Sequence, residues 1–215
     1  GSAFARVLDA KRVVLGRDIR PTSEALSNAV AEGLISQGVE VLDLGLSGTE
    51  EMYFATTHFN ADGGICVTAS HNPMDYNGMK MVKAGSAPLD PATELSKVKE
   101  LAETGSIPAQ TALGSVKQAT GARDAYVDRV LSFVDVSALK RMKLLVNAGN
   151  GAAGPTFDAI WDALSAKGAP LEVTRLHHTP EGSFPNGIPN PLLDENQPVT
   201  ANTVVAEGAD LGIAW

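Results

Sequence analysis

Thr68-Ala69-Ser70-His71-Asn72-Pro73 is the segment whose residue types could carry covalent chemistry. Small neighbours leave the Ser70 hydroxyl approachable, and Pro73 holds Asn72 extended and stiffens the loop. A serine is a weak nucleophile until a base, a metal or a charged environment activates it. His71 is adjacent, but neighbours along an extended loop point apart, which makes it a poor proton acceptor for Ser70. Lys80, which closes Asn77-Gly78-Met79-Lys80, can fold back as a proton carrier or a phosphate contact. Arg17 and Arg20, in Arg17-Asp18-Ile19-Arg20, have the spacing to fork a phosphate, with Asp18 orienting one of them. Each motif also has an ordinary reading, a polar turn for the serine segment and an exposed ion pair for the arginines.

A second motif competes. Gly149-Asn150-Gly151-Ala152-Ala153-Gly154 fits G-x-G-x-x-G between an expected strand and helix, the context of a dinucleotide-binding turn. Glu172 lies near the distance of a ribose-binding acid, but at the start of its strand rather than the end. The same glycines would serve equally for close helix–strand packing. His177-His178 are adjacent, so in a strand they face opposite ways and do not chelate one ion. Ser183–Leu192 (SFPNGIPNPL) is a proline-stiffened loop that must position something. Cys66 alternates with Ile65 and Val67 and reads as inert core, and Asp124 and Asp128 as a solvated helix face.

The elements that position these residues alternate. Val13–Leu15, Val39–Leu44, Ile65–Val67 and Gly78–Val82 read as strands, with helices from Ser23, from a capping box of Ser47 and Glu50, and from Asp90-Pro91 to about Glu103. Ala3–Leu8 reads as the tail of a longer helix behind Gly1-Ser2, which looks like a cloning remnant. Residues 104–121 form a polar connection with at most one short strand. A second series follows: helix Arg123–Val134, strand Lys143–Val146, helix Pro155–Ala166, strand Leu171–Leu176, helix Thr200–Ala206 and strand Asp210–Ala214. Strand–helix alternation implies parallel α/β units. The expected fold is two α/β domains, residues 1–137 and 138–215, with mixed, mainly parallel sheets flanked by helices and the second domain truncated. The serine and arginine segments both follow strands, at the carboxyl edge where α/β proteins place sites.

Composition narrows the function classes. The 215 residues carry 17 basic and 25 acidic side chains, a net charge of −8. That argues against a nucleic-acid binder that neutralises many phosphates, while a few local cations suffice for a small anion. One cysteine excludes an internal disulfide and suits a reducing cytoplasm. No apolar run reaches the length of a membrane span.

Val67–Lys80 (VTASHNPMDYNGMK) resembles the active-site serine loop of the α-D-phosphohexomutase superfamily. Ser47–Phe54, Asp62–Met81, Asn147–Gly154 and Phe184–Leu192 are together most similar to its bacterial phosphomannomutase-like branch. The resemblance implies that Ser70 is phosphorylated and exchanges phosphate with a hexose phosphate through a hexose 1,6-bisphosphate. It implies Lys80 as a proton-transfer residue, His71 and Asn72 as loop or substrate contacts, and Arg17 and Arg20 as neighbours of the phosphate. It further implies Mg²⁺ on the Ser70 phosphate, held by a D-G-D-x-D-R loop that would begin after Trp215. The implied reaction is mannose 6-phosphate to mannose 1-phosphate, with these residues expected to be inactive alone. Phosphoglucomutase is the alternative within the superfamily. From other classes, an NAD(P)-binding oxidoreductase using Gly149–Gly154 and a catalytically silent interaction module stay open.

Overall fold

Short apolar strands and one-sided helices build two units. The computed structural model describes residues 1–105 and 107–215; Ser106, within the stretch read as a connection, lies outside the described residues. One unit comprises Gly1–Asp18, Thr22–Thr68 and Asn77–Ala122, the other Ile19–Pro21, Ala69–Tyr76 and Arg123–Trp215. The division falls at Ala122/Arg123, where the sequence reading placed it at residue 137. The tips of two loops, 19–21 and 69–76, group with the second unit.

In the first unit the order is α1 (Ser2–Leu8), β1 (Arg12–Arg17), α2 (Ser23–Ile35), β2 (Glu40–Leu46), α3 (Thr49–His58), β3 (Gly63–Val67), β4 (Met79–Lys83), β5 (Ala87–Pro88), α4 (Ser96–Thr104) and β6 (Ser115–Gln118). The strands form one sheet in the order β5-β4-β3-β1-β2-β6. β1 pairs in parallel with β2 and β3, β2 in parallel with β6, and β4 runs antiparallel to both β3 and β5. Alternation along the central strands sorts the core into two layers. Val13, Leu15, Ile65 and Val67 pack with Phe4 and Leu34, whereas Val14 and Cys66 pack with Met52 and Ala55 of α3. Each fully buried Leu, Ile or Phe contributes about 1.5–3 kcal/mol before entropy is subtracted.

Two helix starts differ from expectation. α3 is capped one residue later than the Ser47/Glu50 spacing suggests: the Gly48 N–H donates to Glu51 Oε2 at 2.9 Å. Ser47 is buried instead, its N–H donating to Arg17 O at 2.9 Å. Ahead of α4, Asp90 accepts from the N–H groups of Ala92 and Thr93, and Pro91–Leu95 form one wide π turn before regular helix begins at Ser96.

The second unit contains α5 (Ala122–Leu131), whose first residue belongs to the other unit, then β7 (Met142–Asn147), α6 (Ala153–Ala166), β8 (Leu171–Leu176), α7 (Gln197–Glu207) and β9 (Leu211–Ala214). Its sheet is fully parallel, in the order β8-β7-β9, with Leu145 and Val146 of the middle strand buried. Among the described residues no helix is long and apolar enough to cross a membrane.

Candidate active site at the serine loop

The chain leaves β1 toward α2 and β2 on one side, and returns as β3 on the other. The loops after β1 and β3 therefore diverge from neighbouring strand ends, the place where open α/β sheets leave a crevice. Hydrogen bonds within the first unit root both loops. The Asp18 N–H donates to Val67 O at 3.0 Å and the Thr68 N–H to Gly78 O at 2.9 Å. Ser23 Oγ donates to Asp18 Oδ1, and Asn77 Nδ2 donates to Ser23 Oγ at 2.9 Å. This Asp18–Ser23–Asn77 chain was not anticipated. Its signal was present in the polar residues flanking both loops, but which of them would meet depends on strand order.

Beyond the roots, the serine loop is two consecutive turns. The Asn72 N–H and Asn72 Nδ2 both donate to Ala69 O, at 3.1 and 2.7 Å, and the Tyr76 N–H donates to Pro73 O at 3.0 Å. Ser70 is exposed and sits in the left-handed region, with φ +55°. That conformation reverses one expectation. Instead of pointing apart, Ser70 Oγ and His71 Nδ1 lie 3.3 Å from each other, because a left-handed residue breaks the alternation of an extended chain.

Arg20 is placed differently from the phosphate fork expected of it. It is 3% exposed. Its Nη2 donates to Ser70 O at 2.9 Å and Asn72 O at 2.6 Å, and its Nη1 to Pro73 O at 2.6 Å and Tyr76 O at 3.1 Å. The planar fork suits this task, since a buried guanidinium needs an acceptor for nearly every N–H. Its Cζ lies 5.8 Å from the ring centroid of Phe184, itself a buried residue of the proline-rich loop.

Arg17 and Lys80 occupy the first unit's sheet. Register pairs Arg17 with Val67, and Cys66 with Lys80, so their side chains leave opposite faces. Arg17 follows the face covered by α2, its guanidinium 3.9 Å from Glu24 and 4.0 Å from Asp43. Lys80 is exposed on the α3 face. Cys66, opposite it, is buried, and its thiol is pushed up to about 12, first by burial and then by the nearby Asp18 and Glu50 charges.

Two of the three glycines of the Gly149–Gly154 motif meet close neighbours. A Cβ on Gly149 would lie 2.2 Å from Pro189 Cβ, and one on Gly154 would lie 2.1 Å from His178 O. At these two positions the glycines admit close packing. Glu172 is engaged with Arg141 at 2.8 Å. His177 and His178 lie just past β8, and His178 Nε2 is 2.9 Å from Asp158 Oδ2. A cavity of about 390 Å³ in the second unit is lined by Asn147, Gly149, Pro189, Asn190 and Val204 among others, and Ser70, His71, Asn72 and Arg20 are not in its lining.

Comparison with known proteins decides the family. The description "Phosphoglucomutase/phosphomannomutase, alpha/beta/alpha domain I" matches residues 1–107, and its domain II counterpart matches residues 124–215. The chain belongs to the phosphoglucomutase/phosphomannomutase family. It is 55% identical to a phosphomannomutase of Salmonella typhimurium, across all of this chain and 47% of that protein. It is 52% identical to the Escherichia coli K12 phosphomannomutase with the same coverage. A phosphoglucomutase/phosphomannomutase family structure from Burkholderia thailandensis superposes with a TM-score of 0.81 at 33% identity, covering all of this chain and 46% of that one. The chain thus spans about half the length of the curated relatives it matches.

The Mg²⁺ that the family resemblance suggests is not matched by these residues alone. Among the described residues no three His, Cys, Asp or Glu side chains cluster so as to hold a metal ion, whereas Mg²⁺ demands a nearly octahedral set of oxygens. Ser70 would offer one ligand once phosphorylated.

Proposed function

We propose that this chain carries the phosphoserine half of a cytoplasmic phosphomannomutase, and that the full-length protein interconverts mannose 6-phosphate and mannose 1-phosphate. The observation that carries the reading is an exposed serine on a post-strand loop whose backbone is pinned by a buried arginine. Phosphoryl transfer asks mainly for positioning and charge neutralisation, which such a loop supplies. In the first half-reaction a sugar hydroxyl attacks the phosphorus on Ser70. The sugar O–P bond forms, the Ser70 Oγ–P bond breaks, and the hydroxyl proton passes by way of Lys80 to Ser70 Oγ. Hexose 1,6-bisphosphate is the intermediate. Turned over, it returns its other phosphoryl group to Ser70 Oγ, and the serine proton travels back to the departing sugar oxygen.

His71, at 3.3 Å from Ser70 Oγ, orients the hydroxyl. Arg17 offsets the phosphoserine charge of about −1.5 to −2. Asn72 ties down the loop through Ala69 O, and we assign Arg20 to holding that loop rather than to the phosphate. The expected partners are hexose phosphates and hexose 1,6-bisphosphate. The two family models that match residues 1–107 and 124–215 favour the mutase reading over the oxidoreductase one.

Incubating the full-length protein with glucose 1,6-bisphosphate and measuring intact mass tests the proposal. One added phosphoryl group is expected on the wild type and none on Ser70→Ala. Product analysis then compares mannose 1-phosphate with glucose 1-phosphate as substrate. A wild type that never acquires phosphate at Ser70 would overturn the reading.

A further inference from the structure

The proline-rich loop, whose composition says only that it positions something, meets the serine loop through Arg20. Phe184 is 8% exposed and holds φ +46°, a conformation a phenylalanine keeps only when its surroundings impose it. Those surroundings form a continuous set of bonds within the second unit. Asn150, 7% exposed and itself at φ +56°, receives the Glu181 N–H on its carbonyl at 2.8 Å and Asn186 Nδ2 on its Oδ1 at 2.9 Å. The Asn150 N–H donates to His177 O at 2.6 Å, and Asn150 Nδ2 donates to Thr179 O at 2.9 Å. Within the segment, the Phe184 N–H donates to Glu181 O at 3.0 Å and the Gly187 N–H to Phe184 O at 2.9 Å. The segment therefore arrives at Arg20 as a rigid piece.

It also arrives flush. A Cβ on Gly182 would lie 2.4 Å from Ile19 O and 3.6 Å from Pro21 Cδ, so the backbone of this loop rests directly on the backbone around Arg20. The Phe184 ring then faces the guanidinium at 5.8 Å, within the range of cation–π attraction. Four loop carbonyls take up the Nη1 and Nη2 atoms of the guanidinium, and the ring faces its carbon.

We propose that Phe184 is a positioning residue of the serine loop, seating the Arg20 guanidinium so that the Ser70 backbone is held for phosphoryl transfer. This rests on the functional reading above only for its kinetic consequence; the structural coupling stands apart from it. Phe184 touches no reacting atom. Its effect passes through Arg20, so a loss at Phe184 should loosen residues 70–76 and lower turnover while leaving substrate affinity nearly unchanged.

Two readouts on the full-length protein test this. The first is amide hydrogen exchange at Asn72 and Tyr76, whose N–H groups close the two turns of the loop. In Phe184→Leu, which keeps apolar bulk but removes the ring, exchange at these two amides should rise about tenfold or more while amides of β3 and β7 stay protected. The second is steady-state kinetics: kcat should fall about tenfold to a hundredfold with KM within a few-fold. Phe184→Tyr keeps the ring and should restore both. Should Phe184→Leu fail to fold, Gly182→Ala disturbs the same contact from the backbone side and carries the same two expectations. Unchanged exchange at Asn72 and Tyr76 in a folded variant overturns the proposal, as does a kcat equal to wild type. If exchange rises but the wild type itself never takes phosphate at Ser70, the positioning of the loop stands and the mutase reading falls.

Discussion

The Nη2 atom of Arg20 donates to the backbone carbonyl of Ser70 at 2.9 Å. The candidate nucleophile, an exposed residue, is thus held by its main chain. Three further carbonyls share the same guanidinium, so one buried side chain ties together four points of the loop backbone.

Arg20→Lys should therefore not be conservative. An ammonium is a point charge and cannot span four carbonyls set out for a planar fork. Stability should drop by about 2–4 kcal/mol, the cost of leaving buried polar groups poorly paired. Urea unfolding of wild type and variant measures this, and turnover should fall with it. A variant as stable as wild type would mean that the carbonyls find other partners.

Ser70 makes a second, sharper case because of its φ of +55°. Ser70→Ala and Ser70→Gly should both abolish phosphoryl transfer, for each lacks the hydroxyl. Their stabilities should differ. Glycine tolerates the left-handed region without steric cost, so Ser70→Ala should be less stable than Ser70→Gly by about 1 kcal/mol. Thermal unfolding of the pair reads the difference directly, and equal stabilities would indicate that the loop rearranges in one of them.

These two residues mark what could be read in advance. The strands, the helices and the post-strand position of Ser70 follow from local periodicity and turn chemistry, which depend on neighbours in sequence. The partner of Arg20 could not be read this way. An arginine two positions after an aspartate looks the same whether it holds phosphate or carbonyls, and only the neighbouring of β1 and β3 brings residues 70–76 to it. His71 was misjudged for a local reason, because a left-handed serine has no signature in the sequence. Phe184 needed both kinds of information, since its loop is visible in the prolines and its target is visible only in three dimensions.

Lys80 extends from an exposed position of β4, opposite Cys66 in the register. As a proton carrier it should matter to the rate more than to binding. Lys80→Met should lower kcat by about 10²–10⁴-fold, the usual span for general acid–base groups, with KM changed far less. Single-turnover transfer from phosphorylated Ser70 to mannose 1-phosphate isolates the step. Collapsed affinity at unchanged turnover would instead make Lys80 a binding residue.

The Cys66 thiol, on the strand beside Lys80, ties stability to pH. Burial holds Cys66 protonated in the folded protein, with its pKa pushed up to about 12, while an unfolded thiol ionises near 8.5. The folded state therefore retains a proton that the unfolded state releases. Stability attributable to Cys66 is complete below pH of about 8.5 and declines as pH rises above it, by about 1.4 kcal/mol per pH unit until the folded thiol also ionises. Other groups titrate in the same range, so the measurement is a difference. Urea midpoints of wild type and Cys66→Ala, taken at pH 8 and pH 10, should diverge in pH dependence, with the wild type losing more stability. Native Cys66 should likewise resist thiol reagents at pH 8 and react at the unfolding rate, because thiolate is the reactive form. Fast labelling of the folded protein, or parallel pH profiles for the two chains, would show that the α3 face of the sheet admits water and that the thiol is not sealed beneath it.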